Sequence, residues 1–188
     1  MRVTTGLYKG RTIATVNDRS VRPATDRVRQ AIFNILTNRI SFERTHVLDL
    51  FAGSGSLGIE ALSRGAARAV FVENDQIAAS FIRKNIEQLG CGESVDIVVE
   101  DAQSYLLSAH ESFDLVFADP PYVYEQTQPL PLMLFQANFV RYRGYLVIEH
   151  TTDLSFPPTA LYSVGPLKRF GKTCVTFFQP SDKGSASA

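Results

Sequence analysis

The chain has 188 residues, enough to bury one sizeable core and too few for two full domains, so a single active site is to be sought. Its 45% hydrophobic and 20% charged residues are those of an ordinary soluble globule, and no apolar run approaches the roughly 18 residues of a membrane helix. The formal charge is zero, but residues 1–44 carry nine bases against three acids, net +6, which leaves the remainder at −6. The leading Met1-Arg2-Val3-Thr4-Thr5 lacks the apolar stretch of a secretory signal, and a cytoplasmic address is expected by default. Cys91 and Cys174 lie far apart in neither a disulfide nor a metal-ligand spacing, so both are read as reduced and structural, and no metal is expected.

In chain order, the first 44 residues read as a basic extension: a small hairpin around Tyr8-Lys9-Gly10, a loop to Arg22-Pro23, and a helix from Thr25. Val28, Ile32, Phe33, Ile35 and Leu36 form the core-facing side of that helix. Eight of the nine bases are Arg, and five crowd between positions 11 and 29. Arg11, Arg22, Arg27 and Arg29 are therefore candidate contacts to phosphates, with a solvated helix face as the plain alternative. Residues 45–179 form the main domain, in which β-branched runs alternate with helical patterns. That is the signature of a doubly wound, mostly parallel sheet.

The predicted strands are His46–Phe51, Ala69–Glu73, Val95–Glu100, Phe113–Ala118 and Tyr145–His150. Asp75–Leu89 is the clearest helix, with Ile77, Phe81, Ile82, Ile86 and Leu89 at helical spacing and Gly90 to end it. Two extended stretches, Leu161–Leu167 and Thr173–Gln179, are joined by Lys168-Arg169-Phe170-Gly171-Lys172 as a hairpin, which brings the sheet to seven strands with a final antiparallel one. If the sixth strand runs parallel to the others, the hairpin turn carries Lys168, Arg169 and Lys172 to the catalytic edge, near a substrate entrance. Pro180–Ala188 has little to bury and reads as a disordered tail.

The stretch Asp49-Leu50-Phe51-Ala52-Gly53-Ser54-Gly55 follows a strand and opens a helix, the context of a nucleotide-binding glycine turn. A dinucleotide enzyme would rest pyrophosphate on that helix, but a carboxylate four residues before Gly53 repels a pyrophosphate and favours a cation. S-adenosylmethionine carries an ammonium and a sulfonium, and the pattern resembles the first motif of Rossmann-like class I methyltransferases. Glu73, ending the second strand, is a candidate acceptor for ribose hydroxyls, a feature NAD enzymes share. Asp101 is a candidate acceptor for the adenine amino group, or else a helix N-cap. Phe51, Gly53, Gly55, Asn74 and Ala102 complete the candidate cofactor site with Asp49 and Asp119.

Asp119-Pro120-Pro121-Tyr122 closes the fourth strand at the edge where open α/β sheets bind ligands. Two prolines make a stiff turn whose carbonyls face no competing donors. An exocyclic base amine is a poor nucleophile, and Asp119 with the Pro120 carbonyl can hold its two hydrogens while Tyr122 stacks on an extruded base. These four residues are the candidate catalytic set; the alternative is a strand-ending turn with Tyr122 merely packed. Neither cysteine has the setting of a C5-pyrimidine nucleophile.

The four-residue motif also occurs in DNA adenine-N6 methyltransferases, but those usually insert a target-recognition domain, and the 70 residues from Asp49 to Asp119 leave no room for one. A target presented by its own shape, such as structured RNA, fits better. The stretches Gly6-x-x-Lys9-Gly10-Arg11, Arg22–Asn34, Leu48–Arg64, Asp119–Tyr122 and Arg169–Thr173 together resemble the bacterial RsmD-type methyltransferases, which modify guanine N2 in 16S ribosomal RNA. The resemblance implies S-adenosylmethionine as methyl donor and ribosomal RNA or a small-subunit assembly intermediate as partner. It also implies an N-terminal helix that closes over the methionine end of the cofactor while its Arg residues face RNA. A monomer is expected. A DNA adenine-N6 enzyme and a non-catalytic RNA-binding assembly factor are the competing readings.

Overall fold

The computed structural model describes residues 1–15, 24–157 and 159–181. Arg22 and the greater part of the expected tail, residues 182–188, lie outside the described residues. Seven strands form one sheet: β1 (His46–Leu50), β2 (Arg68–Val72), β3 (Val95–Val98), β4 (Phe113–Ala118), β5 (Val140–Thr151), β6 (Tyr162–Phe170) and β7 (Thr173–Pro180). Their order is β3-β2-β1-β4-β5-β7-β6. The first five are mutually parallel, and β7 lies antiparallel between β5 and β6. Consequently β6 runs in the same direction as β1–β5, and the β6–β7 turn returns to the carboxyl edge.

Strand direction and burial account for the layers. Buried residues of α1 (Ala24–Thr37), α2 (Ser56–Ser63) and α3 (Gln76–Leu89) pack one face of the sheet around Phe71, Phe117 and Phe177. Those of α4 (Ala102–Ser108) and α5 (Leu130–Gln136) pack the other around Val116, Ile148 and Phe178. Apolar surface on both faces is what makes the central strands near-continuous hydrophobic runs. Asp75 caps α3 by accepting from the Ile77 amide at 2.7 Å, and Gly90 ends it at φ 68. No helix of the described residues is long and apolar enough to cross a membrane.

Four details depart from the sequence reading. The first three strands stop one or two residues early; β1 gives way to Phe51 at φ 67, a left-handed conformation that turns the chain into the glycine loop. Ile77, at core spacing, is 63% exposed, because the first turn of α3 projects beyond the end of β2. The N-terminal hairpin holds a single bridge, Arg2 to Thr12. Finally, β5 starts five residues early, at Val140, through a bulge opposite Phe113 and Leu115. A Cβ on Gly144 there would sit 2.8 Å from the carbonyls of Arg141 and Asp114, so only glycine fits.

A buried ionic joint fastens the extension to the main domain. Glu60, fully buried on α2, accepts from the Thr4 amide at 2.8 Å and the Thr4 hydroxyl at 2.5 Å, and pairs with Arg64 at 2.9 Å. Arg29 lies 3.9 Å from the same carboxylate and donates to the Arg2 carbonyl and to Asp26. This corrects one expectation: Arg29 is 2% exposed, so its guanidinium serves the joint and does not present to phosphates. Gly6, at φ 85, presses on this seam, where a Cβ would fall 1.7 Å from the Ser63 carbonyl oxygen.

Candidate active site

At the carboxyl edge, Phe51, Glu73, Asn74, Asp101, Asp119, Pro121 and Tyr124 line a cleft of about 340 Å³. The glycine turn beside it is held from both sides. Gly53 donates its amide to Glu73 Oε2 at 2.7 Å, while Glu73 Oε1 accepts from the Asp75 amide at 2.8 Å. On the other side, Asn85 (1% exposed) donates to the Ser54 carbonyl at 3.0 Å and to that of Ala14 at 2.9 Å, and accepts from the Ala14 amide at 2.7 Å. One side chain thus ties the extension to the middle of the glycine turn. A Cβ added at Gly53 would meet nothing, so the turn opens toward space, whereas Gly55 packs on Phe71.

Asp49 lies beneath the turn, 2% exposed, with Oδ2 accepting from the Gly58 amide at 2.8 Å. Burial above all, opposed by that hydrogen bond and assisted by the charges of Asp119 and Glu73, pushes its carboxyl up to about 8. The carboxyl is therefore half neutral near that pH and is drawn to its charged form by a cation above it. Because the folded value stands above the ordinary 3.8, the folded chain holds a proton that the unfolded chain has released, and stability falls as pH rises from about 4 to about 8. Asp49→Asn is expected to gain on the wild type in thermal melts across that window, with a constant difference above it. A pH-independent difference would contradict the placement.

Asp101 caps α4 through Oδ1, which accepts from Gln103 at 2.9 Å and Ser104 at 3.3 Å, and its carboxylate also borders the cleft. Both sequence readings of this residue therefore have a structural counterpart. Ala102, by contrast, is buried in the core under α4. Tyr124, which sequence reasoning missed, stands with its ring edge-on to Phe51 at 4.9 Å. Its hydroxyl is buried and has no hydrogen-bond partner among the described residues. Burial first, and the Asp101 charge second, hold that hydroxyl protonated by raising its pKa. An orphaned donor, an open glycine and three carboxylates around one cleft fit a ligand with cationic and hydroxyl groups.

The Asp119–Tyr122 turn stands between this cleft and a second one of about 450 Å³, whose walls include Pro120, Pro121, Tyr122, Tyr124, Glu149 and Asp153. Pro121 and Tyr124 border both. Tyr122 is 48% exposed, and its hydroxyl shares a 2.9 Å hydrogen bond with Thr173 at the start of β7. The hairpin turn is thereby fixed beside the motif, and Lys168, Arg169 and Lys172 are exposed on it. His150 is no proton carrier for this site. It is 3% exposed, its Nδ1–H donates to the Thr151 carbonyl, and Nε2 meets the Thr176 hydroxyl at 2.8 Å. Burial lowers its pKa and keeps it neutral.

Of the other basic candidates, Arg27 is exposed on α1, and Arg11 is exposed with one guanidinium nitrogen on the Gln88 carbonyl at 2.6 Å. Neutralising Arg27, Arg169 and Lys172 is expected to weaken RNA binding and to reduce the slope of log K against log salt by roughly one for each phosphate no longer neutralised. An unchanged slope would return them to the solvated surface.

A family model described as conserved hypothetical protein 95 matches residues 1–179. The chain is 33% identical over 156 residues to ribosomal RNA small subunit methyltransferase D of Haemophilus influenzae, covering 81% of this chain and 80% of that protein. It is 30% identical over 189 residues to the protein of the same name from Escherichia coli K12, covering 100% of this chain and 94% of the relative. A solved Escherichia coli structure, named only provisionally as a methyltransferase, superposes with a TM-score of 0.84 at 30% identity, covering 96% of this chain and 97% of the other.

Proposed function

Since this chain belongs to the conserved hypothetical protein 95 family, the RsmD family its sequence resembles, we propose that it transfers a methyl group from S-adenosylmethionine to the N2 amine of a guanine in small-subunit ribosomal RNA. The observation that carries this reading is the pair of clefts that share Pro121 and Tyr124 as walls, with Asp119-Pro120-Pro121-Tyr122 between them. One cleft takes the donor, the other the base. The relatives' names support ribosomal RNA as the substrate class, and the residues supply the finer assignment.

Bound S-adenosylmethionine supplies an electrophilic methyl on a positively charged sulfur. Glu73, already oriented by two backbone amides, retains lone pairs for ribose hydroxyls, and Asn74 and Asp101 flank the adenine position. The Tyr124 hydroxyl donates into the same cleft. Asp49 acts from below through charge and through its hold on the α2 amide of Gly58. Asp119 and the Pro120 carbonyl accept the two amine hydrogens, which aligns the nitrogen lone pair, and Asp119 or water takes the proton released on transfer. Tyr122 stacks on the base, tethered through Thr173. Residues 1–44 and the β6–β7 turn form the RNA-facing surface, with residues 45–179 as the transferase domain.

Incubation with tritiated S-adenosylmethionine tests the reading. Label is expected in RNA or assembled particles of a small subunit lacking this modification, and none in DNA. Label in DNA adenine alone would select the competing enzyme, and binding without label the assembly factor.

A further inference from the structure

Resting on the function proposed above, we infer that Glu149 is the residue that selects guanine, by accepting the N1–H of the base whose N2 amine Asp119 holds. The inference starts from strand register. β4 and β5 are parallel, with Phe117 opposite Val147 and Ala118 opposite Ile148. One step further along both strands brings Asp119 and Glu149 to neighbouring positions. Side chains alternate between sheet faces, and Phe117 and Val147 belong to the same core layer. Asp119 and Glu149 therefore project from the same side of the carboxyl edge, on strands about 4.8 Å apart.

Glu149 lies in the wall of the second cleft with Pro120, Pro121 and Tyr122. Its neighbour across the sheet is Val175, two residues from Thr173, which holds the Tyr122 hydroxyl. The carboxylate is thus next to both the amine-holding turn and the stacking ring. Buried His150 alongside it is committed to the fold by two hydrogen bonds, which leaves Glu149 as the titratable side chain of β5 that faces the cleft.

The chemistry of the base edge supplies the selectivity. Guanine offers two adjacent donors, N1–H and the N2 amine, whereas adenine places the lone pair of N1 next to its amine. Two neighbouring carboxylates match the first pattern and repel the second. A site whose buried acceptor must be satisfied rejects analogues lacking the donor far more strongly than shape alone allows. Among flipped bases, reading of the Watson–Crick edge is the usual means of choice.

The test uses small-subunit RNA ligated to carry, at the position mapped as methylated, either guanosine or 2,6-diaminopurine riboside, assembled with small-subunit proteins. Diaminopurine keeps the N2 amine but presents a lone pair at N1. Wild-type enzyme is expected to prefer guanosine in kcat/KM by at least about tenfold. In Glu149→Gln, whose amide can donate to that lone pair, the preference is expected to collapse toward unity. Glu149→Ala is expected to lose guanosine transfer without gaining diaminopurine transfer. Cofactor affinity and melting temperature, measured on the same proteins, are expected to stay near wild type. An equal preference in wild type and Glu149→Gln would overturn the assignment while leaving the proposed function intact. Absence of wild-type transfer to guanosine would overturn the function itself.

Discussion

Asp119→Ala is expected to slow methyl transfer by roughly 10²–10⁴-fold under single-turnover conditions, the range typical of losing a positioned proton acceptor. The expectation follows from the place of Asp119 at the tip of β4, in the wall of the donor cleft and one register step from Glu149. Its charge is felt by Asp49 under the glycine turn, so it belongs to the same electrostatic group. The Pro120 carbonyl remains in the variant and can hold only one amine hydrogen. Asp119→Asn keeps an acceptor oxygen without the charge and is expected to fall between the two. RNA binding is expected to survive in both variants, because the exposed bases on α1 and the β6–β7 turn are untouched. Transfer at the native rate in Asp119→Ala would remove the acceptor role.

The second large effect concerns stability. Glu60→Ala is expected to destabilise the fold by about 3–5 kcal/mol, because it leaves buried cations without their counter-charge. Arg29 is 2% exposed, and burial is the largest influence on it, lowering its pKa against the pull of Glu60 and Asp26. The Thr4 amide and hydroxyl lose their acceptor in the same substitution. For a chain of this size the loss corresponds to roughly 6–20 °C in melting temperature. Glu60→Gln, which preserves the Thr4 contacts, is expected to cost less than Glu60→Ala. A melting temperature unchanged in Glu60→Ala would mean that the joint does not hold the extension.

Much of the fold was legible because strand and helix periods are local. The runs Val47–Leu50 and Leu115–Ala118 are apolar on both faces, which announces a central parallel strand, and Asp75 with Gly90 mark the ends of α3. The direction of β6 was conditional in the sequence and is set by β7, which lies antiparallel to both β5 and β6. What escaped the sequence depends on partners distant along the chain. Arg29 looks like its exposed neighbour Arg27 until Glu60, 31 positions away, is seen to share its burial. Tyr124, Asn85 and Glu149 sit in no motif of their own; each acquires a role from what the topology sets beside it. Asp49 was legible as an acid near the glycine turn, but its burial under Gly58 was not, because a Cβ at Gly58 would strike Phe71 at 2.4 Å, a long-range constraint. The left-handed Phe51 had no sequence signal, since bulky residues rarely adopt that conformation.

The most direct measurement is nucleoside mapping of small-subunit ribosomal RNA from cells lacking this enzyme, before and after incubation with the purified protein and S-adenosylmethionine. The proposed function predicts that digestion and mass spectrometry reveal one new N2-methylguanosine, at a single position, that is absent from the untreated RNA. A methyl group appearing instead on another base or atom, or none on RNA that the protein binds, would contradict it.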